Sequence, residues 1–132
     1  MARSKVQVWV VSQQSILLLK LIASRGGGWQ PITGWVESGE SGIQAAQREL
    51  REETGIDGVP DGPLRSLEFE VNRPFYQGQV TEAVFVLYLK VKPPIQVDPK
   101  EHDAYEWVSA KKAIQRLRYA SQRDSLSFLK GI

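Results

Sequence analysis

Hydrophobic residues along the chain fall into strand-sized runs separated by polar turns. Residues 6–11 and 16–22 are apolar runs on either side of the polar stretch 12–15, a pattern that predicts a β-hairpin. Similar segments predict strands at residues 35–36, 64–71, 84–91 and 105–108, and turn-forming residues are dense at 58–63. Because most of these strands are joined by hairpins, we expect a mixed sheet and not an all-parallel one.

Between residues 41 and 54 the hydrophobic residues recur at spacings of three and four, which predicts a helix. Ser41 followed by Gln44 fits a capping box, and Gly55 fits the glycine that ends many helices. The apolar stripe expected to face the core consists of Ile43, Ala46 and Leu50.

Two shorter helices are predicted near the end of the chain, at about residues 110–117 and 123–129, the first of them capped by Ser109. Helices interspersed with hairpin-linked strands indicate an α/β class of fold, a mixed sheet sandwiched by helices. The chain has 132 residues and no internal repeat, so we expect one domain over residues 1–132.

The composition restricts the classes of protein and of site. Hydrophobic residues make up 42%, enough for a buried core, and no apolar run approaches the roughly 20 residues of a membrane span. The first residues carry no secretory-signal pattern and cysteine is absent, so we expect a cytoplasmic protein. A net charge of +2 is too small to predict nucleic-acid binding. With no cysteine and the single histidine His102, any metal site must rely mainly on oxygen ligands.

Three carboxylates share one face of the predicted helix near its C-terminal end. Glu49, Glu52 and Glu53 stand at positions i, i+3 and i+4. Their mutual repulsion and the negative end of the helix dipole both destabilise this arrangement. A divalent cation would cancel the repulsion, and oxygen ligands favour Mg²⁺ or Mn²⁺. The cluster therefore predicts a metal site, although acidic helix faces are more often plain solvated surface.

The residues around the cluster favour a metal site over a plain solvated surface. Arg48 can pair with Glu52 or steer Glu49, Glu40 can pair with an arginine, and Gly34 lets the backbone approach a ligand closely. The complete pattern resembles the Nudix box, and every fixed position of that motif is filled. Its residues are Gly34, Glu40, Arg48, Glu49, Leu50, Glu52, Glu53, Gly55 and Ile56.

The resemblance to the Nudix family implies an α/β/α sandwich and hydrolysis of a nucleoside diphosphate linked to another group. It implies that Mg²⁺ or Mn²⁺ is bound by Glu49, Glu52 and Glu53, with a backbone carbonyl at or just before Gly34. By the same analogy, Arg48 holds a glutamate in position. Pyrophosphate cleavage needs a metal that neutralises phosphate oxygens and a carboxylate that takes a proton from water.

A further carboxylate is expected from the late loop that contains Glu101. The family often takes a metal ligand or the general base from such a loop. Glu49 and Glu101 both remain candidates for the general base at this point.

Within the family, several stretches are similar to bacterial dihydroneopterin triphosphate pyrophosphatases of folate synthesis. This similarity implies that Thr33, Phe69, Glu70, Val71 and Asn72 line the substrate cleft. It also implies that Arg3 or Lys5, together with Arg25, lies near phosphate. The expected partner is therefore a small nucleoside or pterin triphosphate, cleaved to a monophosphate and pyrophosphate.

Other functions remain open from the sequence. A general (d)NTP, ADP-ribose or dinucleoside polyphosphate hydrolase would use the same motif. A non-catalytic nucleotide-binding module is disfavoured because such modules commonly lose the motif's glutamates, and these are intact here. The sequence carries no signal of oligomeric state.

Overall fold

A computed structural model describes residues 3–57, 64–75 and 78–132; the turn predicted at 58–63 lies outside them. The strands are β1 (Arg3–Ser12), β2 (Ser15–Leu21), β3 (Trp29–Gln30), β4 (Ile32–Trp35), β5 (Arg65–Phe75), β6 (Gly78–Leu89) and β7 (His102–Val108). The helices are α1 (Gly42–Thr54), α2 (Ala110–Arg116) and α3 (Ala120–Ser125), with short 3₁₀ segments at Ala23–Arg25 and Leu126–Phe128. None of the helices in the described ranges is long and apolar enough to cross a membrane.

The sheet is mixed, as the hairpin pattern predicted. β1 and β6 run parallel, and every other pairing between the described strands is antiparallel. β1 changes its neighbour partway along its length. Lys5 to Val8 pair with β4, whereas Val11 and Ser12 pair with β2. The sheet therefore opens between a branch that carries β4 and a branch that carries β2, β3 and β7.

Helices cover both faces of the sheet, which confirms the α/β/α sandwich. On one face, Ala46 and Leu50 of α1 pack with Val8 and Leu87 in one buried cluster. On the other face, a second cluster joins Trp9 and the α2 residue Ala113 with Leu126 and Leu129 that follow α3. Alternate side chains of β1 point to opposite faces, so this one strand contributes to both clusters.

The local signals of α1 are confirmed. The backbone N–H of Ser41 donates to the Gln44 side chain at 2.9 Å, and the N–H of Gln44 donates to the Ser41 hydroxyl at 3.3 Å. Gly55 ends the helix with a φ of 78°, a left-handed conformation that glycine adopts without strain. These two ends fix which helix face meets the sheet, and that face carries buried Glu49 and Glu53 besides its apolar residues.

One predicted helix boundary was wrong, and one predicted strand is less regular than expected. The last helix begins at Ala120, not at residue 123, and is continued from Leu126 by a 3₁₀ turn. Its N-cap, Tyr119, makes no side-chain cap hydrogen bond, so the usual sequence signal for a helix start is lacking. In β5 the register with β6 shifts between Ser66 and Glu70, and Glu68 has a φ of 53°, so the strand is bulged and its simple alternation is interrupted.

Candidate active site

A cavity of about 470 Å³ opens where the two branches of the sheet diverge, beside α1. It brings together nine of the residues that the sequence predicted for the site. These are Lys5, Arg25, Thr33, Gly34, Arg48, Glu49, Glu52, Glu53 and Glu101. Residues far apart in the chain thus meet at one place, because α1 packs against β4 while β7 returns beside β2.

Gly34 has a steric role that the sequence did not reveal. Its lack of a side chain leaves room for Glu49, because a β-carbon at residue 34 would overlap the Glu49 carboxyl group. α1 can therefore approach β4 closely enough to place a carboxylate directly over the strand. The sequence-based expectation of a close approach to Gly34 is met here by a protein side chain.

Arg48 organises the acidic groups around the cavity. It donates to both oxygens of Glu40, from Nε at 2.8 Å and from Nη2 at 3.0 Å. Its Nη1 donates to Glu49 at 2.8 Å and to Glu52 at 3.2 Å, and its Nη2 also donates to the Trp35 carbonyl at 2.9 Å. The planar fork of arginine suits this multiple pairing. The Arg48 hydrogen bonds lower the pKa of Glu40 to about 2, so Glu40 is ionised and serves to hold the arginine.

Glu53 occupies the most buried position among these carboxylates. It is 3% exposed, and its Oε2 has no hydrogen-bond partner among the described residues. Burial, together with the nearby carboxylates of Glu49 and Glu101, raises the pKa of Glu53 to about 9. Burial likewise raises the pKa of Glu49, against the opposing effect of Arg48. The ionised form of Glu53 is therefore destabilised, and the residue has no ion-pair partner among the described residues.

Glu101 lies beside Glu53, together with a residue that the site prediction omitted. One ligating atom from each of Glu53, Glu101 and His102 lies within 4.8 Å of the others. The pair Glu101 and His102 stands at the junction of the late loop with β7, so adjacent residues enter the cavity together. Arg25 forms an ion pair with Glu101 at 3.4 Å.

His102 is a buried, neutral imidazole. Burial lowers its pKa, which overcomes the opposing effect of Glu101. One histidine in a chain gives no spacing pattern to read, which is why the sequence did not mark it as a site residue. Its direct sequence neighbour Glu101 was the one available signal.

Glu52 differs from its two partners on the helix face. Its side chain is 52% exposed and pairs with Arg48, whereas Glu49 and Glu53 are buried. The three glutamates thus provide two buried carboxyl groups and one solvent-facing carboxylate at the mouth of the cavity.

The predicted cleft residues of β5 are not all on one surface. Paired residues run across the sheet in the row Trp35, Lys5, Glu82 and Val71, so Val71 shares a face with Trp35 and Lys5. Glu70 and Asn72, its neighbours along the strand, point to the other face. The three residues cannot line one cleft face together, and of the described residues none of them lines the carboxylate cavity.

Two predicted substrate contacts remain, Arg3 and Phe69. The guanidinium carbon of Arg3 lies 3.8 Å from the centre of the Trp35 ring, at the edge of the cavity and outside its lining. The side chain of Phe69 lies outside the part of the chain that the structure describes.

A larger, more apolar groove of about 980 Å³ lies elsewhere, between the end of α1 and the segment after β6. Ile56, Leu89 and Ile95 are among its lining residues. It shares no lining residue with the carboxylate cavity, so its size alone does not make it the chemical site.

The carboxylate cavity fits a hard divalent cation. It offers several carboxylate oxygens, one of them buried without a hydrogen-bond partner in the described structure, and a carboxyl group whose ionised form needs positive charge nearby. Basic Lys5 and Arg25 line the same cavity and can attract an anionic substrate. Together these groups can support metal-assisted hydrolysis of a phosphate compound.

Comparisons with known proteins agree with this geometry. A model of the NUDIX domain family matches residues 1–129. The chain is 36% identical over 117 residues to an octanoyltransferase of Myxococcus xanthus, covering 84% of the chain but only 31% of that protein. It is also 31% identical to the asymmetrical bis(5'-nucleosyl)-tetraphosphatase of Sus scrofa, with 88% of the chain and 80% of that protein covered.

A bacterial relative is similar in both sequence and structure. Dihydroneopterin triphosphate diphosphatase of Escherichia coli K12 is 37% identical over 109 residues, which cover 74% of the chain and 71% of the enzyme. A solved structure of the E. coli dihydroneopterin triphosphate pyrophosphohydrolase superposes with a TM-score of 0.82 and 28% identity, covering 94% of this chain and 92% of that one.

Proposed function

The chain belongs to the NUDIX domain family, and on that basis we propose that it is a pyrophosphohydrolase dependent on Mg²⁺ or Mn²⁺. The substrate is a nucleoside or pterin triphosphate, and the products are a monophosphate and pyrophosphate. Dihydroneopterin triphosphate is the first candidate, supported by the 37% identity to the E. coli enzyme named for it.

One observation carries the proposal: the buried carboxylates of α1 and the late-loop Glu101 line the same cavity as two basic side chains. Glu49, Glu53 and Glu101 would hold the cation, with the backbone carbonyl at or just before Gly34 and with Glu52 at the mouth. When bound, the cation neutralises phosphate oxygens and lowers the pKa of the attacking water.

The protein's own groups have distinct tasks in this reaction. Water adds to the α- or the β-phosphorus and the P–O bond of the α–β bridge breaks. Attack at the α-phosphorus expels pyrophosphate and attack at the β-phosphorus expels the monophosphate, so both give the same two products. A carboxylate accepts the proton of the water. Glu49 and Glu101 both line the cavity and are the two candidates for this task, which falls to whichever of them does not hold the cation.

Lys5 and Arg25 would contact the phosphate chain, since both line the cavity beside the carboxylates. For the substrate ring, Thr33 and the face shared by Trp35 and Val71 are favoured. Glu70 and Asn72 are disfavoured as ring contacts because they point to the opposite face.

A second candidate is a dinucleoside polyphosphate, favoured by the 31% identity and 80% coverage of the tetraphosphatase from Sus scrofa. Hydrolysis of such a compound would use the same carboxylates. The substrate would differ by carrying a second nucleoside at the far end of its phosphate chain. A substrate panel separates the two candidates.

The experiment follows the loss of each substrate and the appearance of its products by chromatography, and for the triphosphates it adds a phosphate-release assay with and without inorganic pyrophosphatase. It compares dihydroneopterin triphosphate, the (d)NTPs, ADP-ribose and dinucleoside polyphosphates at equal concentration. We expect the highest kcat/KM with a triphosphate and phosphate release only when pyrophosphatase is present. Preference for a dinucleoside polyphosphate would favour the second candidate. A lack of hydrolysis across the panel with Mg²⁺ and with Mn²⁺ would contradict both.

A further inference from the structure

His102 lies in the carboxylate cavity with unused ligand capacity. The residue is 1% exposed, and its Nδ1 has no hydrogen-bond partner within the described ranges. A buried polar atom without a partner is costly, and nearly all such atoms in native proteins have one. Such an atom in a cavity is therefore a sign that something absent from the protein alone completes its bonding.

The same cavity holds a second atom in this condition. Oε2 of Glu53 is buried and lacks a partner in the described structure. A ring nitrogen of His102 and carboxylate oxygens of Glu53 and Glu101 lie within 4.8 Å of one another. Two carboxylates and one imidazole at this separation can surround a single cation.

The orientation of the imidazole ring is already set by the protein. Nε2 of His102 lies 3.2 Å from Nε2 of Gln30, and Gln30 also lines the cavity. The orientation of the Gln30 amide decides which ring nitrogen carries the proton. With its nitrogen toward the ring, Gln30 donates to Nε2 and Nδ1 is protonated; turned by 180°, its oxygen accepts from Nε2 and Nδ1 keeps the lone pair that a cation needs. Ligating histidines are commonly held by such a hydrogen bond to the second ring nitrogen.

We propose that His102 supplies a nitrogen ligand to the divalent cation, beside the carboxylates of Glu53 and Glu101. This rests on the proposed metal-dependent function and adds a consequence for metal choice. An imidazole ligand adds affinity for first-row transition-metal ions, least for Mn²⁺ and more for Fe²⁺ and Zn²⁺, whereas Mg²⁺ prefers oxygen ligands alone. The site is thus built to favour Mn²⁺ over Mg²⁺ more strongly than an all-carboxylate site would.

The experiment uses electron spin-echo spectroscopy of Mn²⁺ bound to the wild-type protein. The protein is prepared without a histidine tag, once at natural abundance and once with ¹⁵N-histidine. His102 is the only histidine in the chain, so any change caused by this label reports on that residue. We expect a ¹⁴N modulation on the Mn²⁺ signal that is replaced by a ¹⁵N modulation in the labelled sample. Absence of nitrogen modulation, or a modulation that the label leaves unchanged, would overturn the proposal.

Substitutions provide an independent test of metal choice. His102→Gln should weaken Mn²⁺ binding in calorimetry by about tenfold or more, the scale on which groups around a metal site act. Mg²⁺ affinity should change much less, and the matched exposed control Asp103→Asn should leave both unchanged. An unchanged ratio of Mn²⁺ to Mg²⁺ affinity in a folded His102→Gln protein would count against the proposal.

Failure of this inference is distinguishable from failure of the proposed function. If Mn²⁺ binds and supports hydrolysis without histidine modulation, His102 is not a ligand and the carboxylate site stands. If Glu53→Gln binds Mn²⁺ as tightly as the wild type, the carboxylate site itself is wrong, and the ligand role of His102 falls with it.

Discussion

The carboxyl group of Glu49 occupies the space in which a side chain of Gly34 would lie. Gly34 is on β4 and Glu49 is on α1, so this contact sets how closely the helix approaches the strand. A glycine fifteen positions earlier in the chain is therefore a condition for the placement of the carboxylate-bearing face of α1.

Gly34→Ala should move the Glu49 carboxyl group and weaken metal binding. The added methyl group has no free space, and such overpacking usually costs about 1–3 kcal/mol of unfolding free energy. The check is denaturant unfolding together with Mn²⁺ titration. The control is Gly42→Ala in the first turn of α1, where the nearest side-chain atom, Phe85 Cζ, would lie 3.4 Å away. Equal stability and metal affinity in Gly34→Ala and wild type would contradict the steric role.

Glu53→Gln should stabilise the metal-free protein at alkaline pH. The folded-state pKa of Glu53 is about 9, above the ordinary value of 4.5. Proton binding by the folded state therefore favours folding below pH 4.5, and this contribution is lost as the pH rises from 4.5 through 9. At pH 9 in EDTA we expect Tm to rise by about 4 °C or more on substitution, roughly the effect of 1 kcal/mol in a small domain.

The control for this comparison is Glu52→Gln on the same helix face, since the Glu52 side chain is 52% exposed. Glu52→Gln should change the Tm of the metal-free protein little at pH 9. Added Mn²⁺ should raise the Tm of the wild type and have a much smaller effect on Glu53→Gln. A metal-free Glu53→Gln protein that is less stable than wild type at pH 9 would show that the buried carboxylate is already compensated within the fold.

Much of this arrangement could be predicted from the sequence where local chemistry determines it. Ser41, Gln44 and Gly55 mark the ends of α1, and the spacing of Glu49 and Glu53 follows from helical periodicity. Glu40 was expected to pair with an arginine, and the structure shows that this arginine is Arg48.

The remaining features depend on contacts between distant parts of the chain. Glu53 and His102 meet through the pairing of β2 with β7, which no local pattern encodes. The bulge at Glu68 sets which β5 side chains share a face, and simple alternation does not predict it. The steric relation of Gly34 to Glu49 likewise appears only when helix and strand are packed.

Arg48→Ala should release the acidic groups that the guanidinium holds. The pKa of Glu40, about 2 in the folded protein because of Arg48, should rise toward 4.5. NMR titration of the Glu40 carboxyl carbon measures this change directly. Arg51→Ala, an exposed arginine on the same helix, is the control and should leave the pKa of Glu40 unchanged. A Glu40 pKa that stays near 2 in Arg48→Ala would contradict the organising role of the arginine.

Glu101→Gln should lower kcat much more than it raises KM. A group that takes a proton from water acts mainly in the transition state, and its loss commonly costs about 10²–10⁴-fold in rate. Steady-state kinetics with saturating Mn²⁺ separates the two constants, and Asp103→Asn serves as the exposed control. An effect confined to KM would make Glu101 a substrate contact and leave Glu49 as the candidate base.

The most direct test of metal-dependent pyrophosphohydrolysis is the product of a single turnover, followed by ³¹P NMR with enzyme in excess over dihydroneopterin triphosphate or GTP. With Mg²⁺ or Mn²⁺, we predict a monophosphate and pyrophosphate as the direct products. We predict no reaction in excess EDTA and, in Glu53→Gln, a rate lower by orders of magnitude because a metal ligand is lost where charge develops. Orthophosphate with a diphosphate as first products, or full turnover in EDTA or in Glu53→Gln, would contradict the account.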